Sequence, residues 1–103
     1  MIAHVIGASV LSHFVWDETA YLLLDIGFIW NIYLDGEMGL VPQALGLAEL
    51  EVEVQWQPIA NPSPIQSVDV FENEDGRRLV LNCEDNQIAI ETSFTTRDVS
   101  IKE

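Results

Sequence analysis

The sequence predicts an all-β protein, with two similar three-stranded antiparallel meanders and a linking strand forming a small sandwich or a partly open barrel. Three observations carry this. Every even position from Leu22 to Leu34 is apolar (Leu22, Leu24, Ile26, Phe28, Trp30, Ile32, Leu34), and a period of two is that of a strand. Leu50, Val52, Val54 and Trp56 alternate with Glu49, Glu51, Glu53, Gln55 and Gln57, the pattern of a half-buried linking strand. The segment from Val10 also overlays the segment from Ile65. Ser12 falls on Ser67, Val15 on Val70, Trp16 on Phe71, Asp17 on Glu72, and Leu22 and Leu24 on Leu79 and Leu81. With one gap, Trp30 and Ile32 fall on Ile88 and Ile90.

Taken in order, residues 2–6 suit a short strand ending at Gly7, and Val10–Trp16 is rich in β-branched and aromatic residues suited to a pleated surface. Asp17-Glu18-Thr19 breaks the pattern. A turn near Ile26-Gly27 divides Leu22–Asp25 from Phe28–Leu34, because the overlay sets Gly27 against the turn-forming cluster Glu84-Asp85-Asn86. After the Asp35-Gly36 turn, Glu37–Ala48 reads as an irregular connection, with one helical turn over Pro42–Leu45. Asp75-Gly76 is a hairpin signal between Val68–Phe71 and Leu79–Leu81. Val99 and Ile101 suggest a short edge strand. The 103 residues make one domain, 1–103, with an internal repeat over about 10–34 and 65–94.

Charge narrows the function. Seventeen carboxylates face four cations, Arg77, Arg78, Arg97 and Lys102. This disfavours nucleic acid and anionic membranes, whose binding draws on Lys and Arg. A basic protein surface is the partner such a field attracts. The single cysteine, Cys83, excludes a disulfide scaffold. The N-terminus has no positive n-region, and the alternating run at 20–34 is short for a membrane span. The expectation is a cytoplasmic protein.

Candidate chemistry is sparse. His4 and His13 lie on neighbouring segments without zinc-like spacing. Ser9 and Ser12 near His13 lack an orienting Asp. Cys83 precedes Glu84-Asp85, which would raise a thiol pKa, and reads as a buried small residue, the counterpart of Ile26. Asn73-Glu74-Asp75-Gly76 lacks the ligand alternation of a calcium loop. No catalytic residue, cofactor or metal is implied.

Glu49, Glu51 and Glu53 share one strand face about 7 Å apart. They form either a solvated guard on an edge strand or an acidic stripe that docks a basic partner. The second apolar face of the first meander, with Leu11, Val15, Tyr21, Leu23, Ile29 and Tyr33, needs a cover. That cover is the 37–48 loop, a ligand, another protein or a second copy, and a homodimer is the commonest solution.

The expectation is a non-catalytic interaction module, a homodimer whose acidic surface engages a basic protein. On charge and size this suits an immunity-type inhibitor or an adaptor. The alternatives are a small apolar-ligand-binding β-barrel with Trp16, Trp30 and Trp56 at its mouth, and an enzyme using the Glu49/Glu51/Glu53 face or a His4–His13 site.

Overall fold

Turn chemistry divides the chain into strands, seen in a computed structural model that describes residues 2–49 and 55–103. A 3-10 turn (Ile2–His4) stands in place of the short strand expected over residues 2–6, and it leads into β1 (Val10–Trp16), β2 (Thr19–Leu24), β3 (Phe28–Tyr33) and β4 (Met38–Pro42). Helix α1 (Gln43–Glu49) and the two-residue β5 (Gln57–Pro58) follow. The second half is β6 (Ile65–Glu72), β7 (Gly76–Cys83), β8 (Gln87–Ser93) and β9 (Asp98–Lys102). The two antiparallel sheets, in order β4-β3-β2-β1-β5 and β6-β7-β8-β9, pack as a sandwich with no closed barrel among the described residues. No helix among those residues is long and apolar enough to cross a membrane.

Each meander has a fourth strand beyond the three expected. The segment read as irregular contributes β4, whose Met38–Pro42 pair in register with β3. The suggested edge strand at Val99 and Ile101 is β9. The helix is longer than the single turn over Pro42–Leu45. Pro42 ends β4, and Ala44, Leu45, Leu47 and Ala48 are good helix formers that carry α1 to Glu49. The expected linking strand therefore does not begin at Glu49. Residues 50–54 lie outside the described residues, and among those described after them Gln57–Pro58 is strand.

The turns form where their residues predict. Gly27 adopts φ +83° in the β2–β3 hairpin, a left-handed conformation that suits glycine. Between β6 and β7, the Asn73 Oδ1 accepts from the Asp75 and Gly76 amides at 2.8 and 3.1 Å. The β1–β2 turn places Asp17 and Glu18 at φ 50° and 60°, as a two-residue hairpin with the right twist requires.

A one-residue bulge between Val10 and Ser12 resets the alternation of β1, and β6 has the same bulge between Ile65 and Ser67. Beyond it, His13 and Val15 face inward with Leu22 and Ala20, while Ser12, Phe14 and Trp16 face outward. Pairing sets Leu22 opposite His13 and Leu81 opposite Val68. Leu22 thus corresponds to Leu81, two residues beyond the sequence overlay, because the β6–β7 hairpin is longer. By the same register Cys83 corresponds to Leu24, not to Ile26. Trp30 and Ile32 do correspond to Ile88 and Ile90.

The core lies between the sheets. Leu22, Leu24, Trp30 and Ile32 of the first pack with Ile65, Leu79, Leu81, Ile88 and Ile90 of the second.

Candidate functional site

In a four-stranded meander alternate turns lie at the same end. The β1–β2, β3–β4, β6–β7 and β8–β9 turns therefore gather at one end of the sandwich, where Phe94 N–H donates to the Asp75 carbonyl at 2.8 Å. Eight carboxylates come with them: Asp17, Glu18, Asp35, Glu37, Glu72, Glu74, Asp75 and Asp98.

Arg77 and Arg97 belong to this end and Arg78 borders it, directly opposite Phe71, and the chain engages all three. Arg97, at φ 58°, makes a two-pronged bond from the second sheet to the first. Its Nε donates to Glu18 Oε1 at 2.8 Å and its Nη2 to Oε2 at 2.6 Å. These bonds hold the Glu18 carboxyl below the usual carboxylate range and raise the Arg97 guanidinium above its own. Arg77 lies 3.7 Å from Glu72, and its guanidinium fills the space where Gly36 lacks a side chain. Arg78 and Lys102 share Glu91 on the outward face of the second sheet at 3.4 and 2.9 Å.

Aromatic side chains crowd the same end. Trp16 (47% exposed), Tyr33 (39%), Phe71 (55%) and Phe94 (37%) close the strands next to the acidic turns. Asp17, Glu18, Thr19, Tyr33, Asp35, Phe94 and Arg97 line an open cleft of about 360 Å³. Tyr33 also borders a groove of about 200 Å³ on the outward face, with Trp16, Tyr21, Ile29, Asn31, Val41 and Gly46. Burial pushes the Tyr21 phenol up, Thr19 hydrogen bonding opposes this, and Tyr33 and Asp17 add to the rise.

The face Leu11, Val15, Tyr21, Leu23, Ile29 and Tyr33 does not survive as one surface. Val15 is on the inward row, because the bulge reverses the alternation there. Ile29 is 1% exposed, with α1 over it: Gly46 brings the helix backbone close to the Ile29 side chain, and the Gln43 amide bonds the Gly27 carbonyl at 2.9 Å. Phe14 stacks on Tyr21 at 4.4 Å and takes Trp56 edge-on at 4.6 Å. Helix α1 thus covers Ile29, and Trp56 covers Phe14, from within the chain. Leu11, Val15 and Tyr33 stay exposed, and Tyr21 and Leu23 are half-buried.

The acidic stripe falls largely outside the described residues. Glu49 is the last residue of α1, while Glu51 and Glu53 lie outside the described residues. His4 is exposed on the 3-10 turn, and His13 is buried with its Nε2 3.4 Å from the Glu103 carboxylate. Among the described residues no three His, Cys, Asp or Glu side chains gather to hold a metal. Cys83 is buried, which raises its thiol pKa. The tryptophans share no mouth: Trp30 is in the core, Trp16 faces outward, and Trp56 abuts Phe14.

Sequence reasoning missed the acidic end because it counted three strands in each half, which scatters the turns. The signal was present in the carboxylates of the four turns. Comparison with known protein families, curated proteins and solved structures finds no match.

Proposed function

We propose that this protein is a non-catalytic binding module whose acidic, aromatic-edged end engages a basic protein partner, as an immunity-type inhibitor or adaptor would. One observation carries the reading: eight carboxylates and four exposed aromatic rings converge at one end, whose arginines are already engaged. Such a field steers a basic surface into contact. Trp16, Tyr33, Phe71 and Phe94 supply the large, rigid contact area that interfaces favour.

The test is capture from cell lysate, followed by purification of each basic protein retained and measurement of its complex by light scattering. A stoichiometric complex is expected, lost when Asp17→Lys and Asp35→Lys are combined and weakened by Trp16→Ala. Binding that ignores these substitutions, or that has no fixed stoichiometry, overturns the proposal.

A further inference from the structure

The two sheets treat equivalent edges differently. In the first, β5 adds to β1, with Ser12 opposite Pro58 and His13 opposite Gln57. The Ile59 amide then donates to the Leu11 carbonyl at 3.0 Å, and Trp56 sets its ring against Phe14. By the shared bulge, β6 is the counterpart of β1. Yet among the described residues β6 is the outermost strand of its sheet.

The free side of β6 presents a full set of strand-pairing groups. The Asn73 amide bonds the Gly76 carbonyl at 3.0 Å at the end of the β6–β7 ladder. Antiparallel bonding alternates by two, so Asp69 and Phe71 bond β7. The N–H and C=O groups of Val68, Val70 and Glu72 therefore point to the free edge. At eight residues β6 is long for an uncovered edge, and it lacks the Pro or Lys that often blunts one. Val70 is 42% exposed beside it.

Charge decides what fits there. The β6 counterpart of Phe14 is Asp69, whose carboxylate accepts from Asn82 at 2.8 Å. A second copy paired about Asp69 would set that carboxylate directly against its own counterpart, and like charges across a strand pair are destabilising. A strand with Lys or Arg opposite Asp69 gains an opposite-charge pair instead.

We propose that the free edge of β6 docks an extended, basic segment of a partner protein. The segment adds antiparallel as a fifth strand, its Lys or Arg against Asp69, as β5 adds to β1 with Trp56 against Phe14. This rests on the basic-partner reading and names the element that receives the partner.

The probe is an end-blocked peptide of alternating lysine and valine. Its control is a lysine–glycine peptide of equal charge and low strand propensity. Amide exchange followed by NMR should slow at Val68, Val70 and Glu72 when the lysine–valine peptide binds. Asp69→Lys, an exposed change, should weaken binding about tenfold. Val70→Pro should abolish the protection by removing a donor, and Asp69→Lys keeps the test readable if that variant fails to fold. Protection confined to the Asp17, Glu18 and Asp35 amides overturns the edge proposal and leaves the acidic end as the binding surface. Equal affinity for the two peptides, or no binding of either, also overturns it, and the complex sought by lysate capture then stands or falls by itself.

Discussion

Ser9 and Pro64 face each other in an isolated antiparallel bridge, and each is the residue immediately before the first strand of its meander. Equivalent positions meet this way where a local two-fold axis passes between two copies of a motif. The surrounding bonds repeat the relation: the Asp25 amide donates to the Ser9 carbonyl and the Glu84 amide to the Pro64 carbonyl, both at 3.0 Å. Pro64 has no N–H, so Gly7 to Ile65 and Ile65 to Ala8, each at 2.8 Å, tie the seam on which one sheet folds over the other.

Two glycines should differ in what they tolerate. Gly27→Ala places a side chain at φ +83° in open space, a conformational cost of about 1–2 kcal/mol. Gly76→Ala drives its Cβ into the Thr92 carbonyl oxygen, and the backbone there has to shift. Urea unfolding should rank Gly76→Ala as the more damaging, by more than about 1 kcal/mol.

Trp30 is fully buried, and its indole Nε1 has no hydrogen-bond partner among the described residues. An orphaned buried donor costs about 1–3 kcal/mol. Trp30→Phe removes that cost while leaving a modest cavity, so its stability should fall within about 1 kcal/mol of the parent. Trp30→Ala should lose about 3–5 kcal/mol. A large loss for Trp30→Phe in urea unfolding would show that the N–H is satisfied after all.

The Glu18–Arg97 pair makes a pH-dependent contribution of known sign. The folded Glu18 carboxyl titrates below its unfolded value, which is about 4.3. Its stabilisation is therefore present above that value and is lost as pH falls through the lower, folded one. Arg97→Ala should melt below the parent at neutral pH, and the two melting curves should converge in acid. Both groups are exposed, so the difference should be small and should shrink with added salt.

The cover that α1 gives Ile29 and Trp56 gives Phe14 reduces the apolar area left for pairing with a second copy. Light scattering at low salt and at about tenfold higher salt should give a monomer mass in both. A dimer that persists at high salt would mean that the exposed Leu11 and Tyr33 are used for self-pairing.

Much of the fold was legible because strand signals are local. Alternation at Leu22–Leu34 and the Gly27 and Asp75-Gly76 turns marked β2, β3, β6, β7 and β8 before any coordinates. β4 was not legible: Met38-Gly39-Leu40-Val41-Pro42 carries a glycine and a proline that read as loop, and pairing with β3 overrides them. Val15 was assigned to the wrong face because a bulge leaves no mark in the sequence. Of the candidate site, the acidic character was evident and its location was not, since placing Asp17 beside Asp35 and Phe94 requires the strand count and the packing of the sheets.

The sequence by itself determined the all-β class, the doubled meander and the charge of the surface, because periodicity, turn residues and ionisable groups are properties of short stretches. Only the tertiary structure decided which turns share an end, which apolar residues α1 covers, and that among the described residues β6 keeps a free edge where β1 does not. Those are relations between residues far apart in the chain, set by how the two sheets close over a common core.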